Sequence, residues 1–210
     1  MIDNKALEKM TYGLYLISAR SGDAAGGCVV NTFSQVTASP AQFTVAIHKE
    51  NYTAELIAKS GFFVAVALAQ SATMELIGKF GFHSGKDTDK FSGYQTAVDE
   101  NEMPYLTEQV VARYSCKIVN CVDLGTHLLF VGELVAAETL QTDEPMSYAY
   151  YHTIKNGATP PKASTYQEKA VTGYRCKICG YILESDTLPA DFICPICKRG
   201  ADQFEKITAE

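Results

Sequence analysis

Short runs of alternating or wholly apolar residues recur along the first two thirds of the chain. Tyr12–Ala19, Gly27–Thr32, Gln42–His48, Phe62–Ala69, Val110–Val122 and His127–Ala137 are rich in β-branched and aromatic residues, the pattern of half-buried or fully buried strands. The last two flank Asp123-Leu124-Gly125-Thr126, a turn signal, and so predict a long hairpin. Helical signals are scarcer. Thr53–Lys59 and Ser71–Lys79 each begin at a capping hydroxyl with Glu two to four residues later, and an opening helix is predicted over Asn4–Met10. Strands that dominate without helices alternating between them predict a mainly β barrel or sandwich, not a doubly wound sheet.

That pattern stops at Asn156-Gly157-Ala158-Thr159-Pro160-Pro161-Lys162, whose turn and breaker chemistry reads as a linker. Of the 210 residues, some 38 remain from Gly173 onward, too few to bury a core unaided. The predicted division is a first domain over 1–167, a linker over 168–173 and a small metal-bound domain over 174–210. Apolar residues at 47% and charged residues at 20% are ordinary globular usage and exclude wholesale disorder. A net charge of −6 with no basic tract makes nucleic acid a poor partner. The longest apolar run, Phe62 to Ala69, falls far short of the ~20 residues that span a bilayer. The polar N-terminal stretch lacks an apolar signal core, so a soluble, cytoplasmic protein is expected.

The cysteines carry the first chemistry. Seven is an odd count, which argues against a closed disulfide framework. Cys176, Cys179, Cys194 and Cys197 form C-x2-C-x14-C-x2-C, two knuckles whose four thiolates can complete a sulfur tetrahedron around Zn or Fe. Spacing alone favours a structural zinc ribbon. The surrounding residues change that: Tyr174-Arg175-Cys176-Lys177-Ile178-Cys179-Gly180-Tyr181, then Leu188-Pro189-Ala190-Asp191-Phe192-Ile193-Cys194-Pro195-Ile196-Cys197, then Gly200-Ala201-Asp202-Gln203-Phe204. These resemble the two halves of a rubredoxin over about Gly173 to Ile207. The spacer is shorter than in free-standing rubredoxins and the chain has no Trp, so the segment is similar to rubredoxin modules appended to other redox proteins. The resemblance implies one Fe per chain in a four-cysteine site, with Zn the less favoured metal. Gly180 permits a positive φ that frees an amide to point at sulfur, and such hydrogen bonds tune sulfur-ligated iron. Tyr174, Tyr181, Phe192 and Phe204 are expected to form an aromatic shell around it.

No G-x-G-x-x-G, G-x-x-x-x-G-K-[ST] or G-x-S-x-G occurs, so dinucleotide-fold, P-loop and hydrolase readings lack local support. Three polar patterns stand out instead. Asn31 to Pro40 reads as a hydroxyl-rich loop between strands, His48 to Thr53 leads from a strand end into a helix start, and Phe80 to Phe91 offers Ser, Gly and Lys to an anion. Each alone is an ordinary polar turn. Together and in this order they resemble the flavin reductase-like, FMN-binding split-barrel family. The match extends through Ala112–Ala137, where Cys116 and Asp123 to Glu133 are similar to that family's C…D-x-G-x-H-x-x-x-x-G-E segment. The resemblance implies a Greek-key split β-barrel with a few helices. It places Asn31, Thr32, Val36, Thr37 and Ser39 along the isoalloxazine and ribityl chain, Asn51, Thr53, Ser84 and Lys90 on the phosphate, and His127 near the flavin. The family usually has Asn-Gly at Gly26-Gly27, Ser at Thr37 and a second Pro at Ala41.

The two resemblances together imply an oxidoreductase: hydride from NADH or NADPH to FMN, then single electrons to the iron and on to an acceptor such as a flavodiiron protein. They also imply a homodimer with flavin at its interface. A flavin and iron carrier without a nicotinamide site, and a flavin module with a structural zinc ribbon, are the alternatives. No catalytic group beyond the cofactors is expected, with His127 the one candidate. His48 and His83 are expected to be structural or exposed, and His152 is a candidate neighbour of flavin or nicotinamide. Cys116 and Cys121, five apart on one strand, face opposite sides and cannot pair. Cys28 and Cys121 are expected to be buried as small hydrophobes.

Overall fold

The computed structural model describes residues 3–160, 162–166 and 172–208. The chain runs α1 (Asn4–Leu7), β1 (Tyr15–Ser21), β2 (Ala24–Val30), β3 (Ser34–Ala38), β4 (Ala41–His48), α2 (Tyr52–Ser60), β5 (Phe62–Leu68) and α3 (Met74–Phe82). It continues with β6 (Thr96–Val98), β7 (Pro104–Leu106), β8 (Val110–Asp123), β9 (His127–Thr139) and α4 (Tyr148–Thr153). Seven strands form one sheet in the order β2-β1-β5-β8-β9-β4-β3, each neighbouring pair antiparallel.

β5 is central because Phe62-Phe63-Val64-Ala65-Val66-Ala67-Leu68 has apolar side chains for both faces of the sheet, and all but Phe62 are buried. The Thr32 hydroxyl donates to Ala46 O at 2.8 Å and accepts from the Ala46 amide at 3.2 Å. That contact brings the end of β2, one margin of the sheet, to β4 near the other, so the sheet wraps around its core. Inside lie Phe63, Phe130, Leu16 and Ile17, fully buried, each contributing about 1.5–3 kcal/mol over an exposed side chain. Phe33 stacks on Phe43 with centroids 4.9 Å apart, closing the core at β4. α2 packs on β1 and β2, and α3 on β2.

Several expectations shift. The predicted loop from Asn31 to Pro40 contains β3, a sheet-edge strand with all five residues exposed. α2 is capped by Asn51, not Thr53, and α3 by Thr73, not Ser71; each cap side chain accepts an amide of its first turn. α1 ends at Leu7 rather than Met10. α4 carries no sequence-level expectation, yet Ser147 caps it by accepting the Tyr150 amide. The β8–β9 hairpin forms as predicted, with bulges near Cys116 and Ile118, but its outer end extends beyond the core. Cys121 sits there and is exposed, a correction to its expected burial, whereas Cys28 and Cys116 are buried.

The predicted linker from Asn156 to Lys162 is also corrected: its start packs on the barrel, with Gly157 N donating to Tyr151 O and the Tyr151 hydroxyl to Ala158 O. Of the linker predicted over 168–173, residues 168–171 lie outside the described residues. The tail forms a second small sheet, β11 (Ile182–Leu183), β10 (Gly173–Cys176) and β12 (Phe204–Ile207) in that order. No helix among the described residues is long and apolar enough to cross a membrane.

Candidate functional site

A cleft opens between the ends of β2 and β4, the start of α2 and the region from Tyr148 onward. Its polar end holds Asn31, Thr32, His48, Asn51 and His127, and its apolar side Val29, Ile47 and Phe82. Tyr148 and Tyr151 form an aromatic wall, and Ala158, Pro160, Lys162 and Ala163 close the outside. Asn31 Nδ2 donates to Thr165 Oγ1 at 2.9 Å, and Lys162 Nζ pairs with Glu50, so this outer segment is tied at two points. Asn51 caps the nine-residue α2, whose positive dipole end favours an anion.

His127 meets His48 edge to face with centroids 5.1 Å apart, and its Nδ1 lies 2.8 Å from Thr126 Oγ1. Burial, then the neighbouring His48, lowers the His127 pKa below its ordinary 6.5, so the imidazole is neutral at pH 7. The donor set suits a flavin mononucleotide: an apolar and aromatic wall for a ring system, with amide, hydroxyl and ammonium donors for a polyol and a phosphate.

The structure brings four of the expected flavin residues, Asn31, Thr32, Asn51 and His127, to this cleft. Val36, Thr37 and Ser39 lie on or beside β3, outside it and exposed. Ser84 is exposed, its Oγ accepting the Lys86 amide at 3.1 Å. Thr53 is buried, its amide donating to Asn51 Oδ1 at 3.0 Å. His152 is set aside from the cleft, with Nδ1 2.9 Å from Gly157 O.

Lys90 differs most from expectation. It is 4% exposed, and its Nζ donates to Gly27 O at 2.8 Å and Phe80 O at 3.0 Å, clipping β2 to the end of α3. A phosphate contact would require it to leave both carbonyls. Lys90→Met is therefore expected to change FMN and riboflavin affinity by the same factor, because riboflavin lacks only the phosphate. Burial pushes the Lys90 pKa down from 10.5 to about 8. Between those values the unfolded chain holds a proton that the folded chain does not, so Lys90 makes stability rise with pH. The stability of wild type relative to Lys90→Met should rise by about 3 kcal/mol from pH 8 to 10.5 in urea unfolding. A flat difference would show that the ammonium is not desolvated.

The tail builds the second site. All four thiol sulfurs of Cys176, Cys179, Cys194 and Cys197 lie within 4.8 Å of one another, and all four residues are buried. Cys176 and Cys197 Sγ are 3.6 Å apart, and Cys179 and Cys194 Sγ 3.4 Å. A tetrahedron with metal–sulfur bonds of about 2.3 Å has sulfur edges of about 3.8 Å, so the donors fit an ion with little movement.

Each knuckle turns through the left-handed region after its second Cys: Gly180 at φ +76 and, in the second knuckle, Lys198 at φ +59. These turns aim amides at sulfur. The Cys179 and Ile178 amides bond Cys176, outweighing its burial and lowering its pKa, while Tyr181 and Arg199 amides bond Cys179 and Cys197. Burial nevertheless raises Cys179 and pushes Cys197 up to about 12, so the crowded thiols need a cation to ionise together. Phe192 stacks on Tyr181 and meets Phe204 edge to face at 5.3 Å, the expected aromatic shell. Ile196 and Phe204 are the large apolar side chains buried with the cysteines.

Sequence reasoning missed Tyr148, Tyr151 and the outer segment from Ala158. Ser147 ahead of the aromatic run was a usable helix-start signal. The outer segment has no periodicity, and its Gly and Pro spelled a linker.

Residues 7–157 match the family described as flavin reductase like domain, and residues 174–205 match that described as rubrerythrin, rubredoxin-like domain. The chain belongs to the flavin reductase-like family and carries a rubredoxin-like domain at its C-terminal side. It is an oxidoreductase, with FMN as the cofactor of the barrel and iron as that of the four-cysteine site.

The chain is 40% identical to the high molecular weight rubredoxin of Moorella thermoacetica, over 98% of this chain and 100% of that protein. It is 39% identical to the ferric-chelate reductase (NAD(P)H) of Archaeoglobus fulgidus, over 80% of this chain and 99% of the relative. Flavoredoxin from Methanosarcina acetivorans has the same barrel fold, with a TM-score of 0.57 at 25% identity over 64% of this chain and 74% of that one.

Proposed function

We propose that the protein is an NAD(P)H-dependent flavin and rubredoxin oxidoreductase that delivers single electrons to a downstream redox protein, of the flavodiiron type implied by the family resemblance. The observation that carries this reading is the pairing, in one chain, of a cleft suited to FMN and a preformed four-thiolate iron site. A relative whose printed name includes NAD(P)H supports the nicotinamide. Bound FMN would supply the conversion between a two-electron hydride, whose donor leaves as NAD(P)+, and single electrons, and iron held by the four thiolates would accept these one at a time.

Within this reading Asn31, Thr32 and Asn51 orient the flavin, and neutral His127 offers a hydrogen bond without a fixed charge. Ala158, Pro160, Lys162 and Ala163 limit water at the outer side of the cleft. We further propose a homodimer. β3 is an exposed sheet edge with Val36 52% exposed, and it carries Thr37, with Ser39 just beyond. A second copy meeting that edge is the arrangement in which these residues would reach a flavin. The division into 1–167, 168–173 and 174–210, and a cytoplasmic location, complete the proposal.

Anaerobic titration with NADH and NADPH tests it. The flavin bands are expected to bleach first and the broad visible absorption of the ferric tetrathiolate centre afterwards. Flavin bleaching without iron reduction would break the serial order. No bleaching by either nucleotide would leave a carrier, and a protein with only yellow flavin bands would leave a zinc ribbon.

A further inference from the structure

α3 presents two neighbouring stripes. Ile77 and Gly81, one helical turn apart, line the flavin cleft. Met74, Gly78 and Phe82, spaced by four, form the adjoining stripe; Met74 and Phe82 pack against the buried cluster around the four cysteines, Met74 touching the barrel core as well. Gly78 lies between them, under the second metal knuckle: a Cβ placed there would sit 3.4 Å from Ile196 O, among the described residues the only atom beyond the helix within 4 Å. Phe82 and Ala158 belong to both surroundings, cleft wall and metal cluster.

We infer that the Met74–Gly78–Phe82 stripe of α3 is the docking seat of the metal knuckle of the same chain, holding the four-cysteine site beside the flavin cleft so that electrons cross through the wall at Phe82. The inference rests on the proposed flavin-to-iron transfer and adds the surface on which it occurs. Sequence periodicity alone hides this seat, because a helix already packed on β2 has no evident need of a second apolar stripe. Gly78 lets the knuckle backbone approach the helix, which any side chain beyond a methyl would hold off.

Gly78→Arg tests the seat, since its side chain would meet only the tail. Gly78→Ala is the control: its methyl makes an ordinary contact and favours the helix. Met74→Glu is the second disrupting variant, at the first turn where a carboxylate suits the helix dipole. All three should keep wild-type flavin and iron content and wild-type flavin bleaching by NADH.

In Gly78→Arg and Met74→Glu, subsequent iron reduction should slow at least tenfold. Solution X-ray scattering of the zinc-substituted proteins should show a larger radius of gyration at unchanged oligomeric state. Gly78→Ala should match wild type in both measurements. Unchanged scattering in both disrupting variants would overturn the seat, and expanded scattering with undiminished iron reduction would overturn its role in transfer. Transfer restored by mixing Gly78→Arg with Cys194→Ser protein would place the docking between copies and overturn the same-chain seat. If wild-type iron is never reduced by NADH, the proposed function and the transfer role fail together, and scattering then judges the seat by itself.

Discussion

Cys194→Ser protein is expected to be yellow, not red, with the tail unfolded and the barrel intact. A hard, poorly acidic hydroxyl replaces a soft thiolate, and three sulfurs leave a tetrahedral site open. The tail has little else to hold it: Ile196 and Phe204 are its large buried apolar residues beside the cysteines. Metal binding in domains of this size contributes roughly 10–16 kcal/mol of folding free energy, far more than so small a core. The backbone bonds of the second knuckle, Cys194 N to Arg199 O and Lys198 N to Cys194 O, remain possible in the variant, so what is lost is the sulfur that ties the knuckle to the metal. Iron-to-flavin ratio and amide exchange in β10 and β12 are the measurements, with exchange there approaching unfolded rates. Full iron content with protected amides would mean that the remaining three thiolates suffice.

Removal of everything after Glu168 should abolish onward electron transfer and leave the flavin chemistry in place. All the cleft residues, including the outer segment through Ser164, precede the cut. FMN retention and anaerobic bleaching by NADH should therefore stay close to the full-length values. Reduction of a one-electron protein acceptor should fall by two orders of magnitude or more, because the exit site is gone. The cut also exposes Met74 and Phe82, so a modest loss of solubility is expected. An acceptor reduced as fast by the truncated protein as by the whole would show that the flavin donates directly and that the tail is not in series.

Much of this could be read along the chain. β5 was legible because seven consecutive apolar residues fit a strand covered on both faces. The β8–β9 hairpin was legible because a turn signal separates two apolar runs. The iron site was the clearest, since tetrahedral thiolate coordination needs two knuckles and little else, and both are local in sequence.

Other features were not legible, each for a physical reason. β3 is a strand by virtue of its pairing with β4, and five exposed residues leave no apolar alternation to reveal it. Cys121 belongs to a strand whose outer end leaves the core, and periodicity does not say where a sheet stops being covered. Lys90 is an ammonium in a loop, and only the fold turns it inward onto two carbonyls.

By itself, then, the chain determines the strands, the knuckles and the class of chemistry, because these depend on side-chain period and on ligand spacing within a few residues. Tertiary structure decides which polar residues share one cleft, that a linker-like segment becomes its wall, and that α3 faces that cleft on one stripe and the four-cysteine cluster on the next. Those outcomes depend on contacts between residues far apart in sequence, such as Gly78 with Ile196 and Asn31 with Thr165, and no local pattern encodes them.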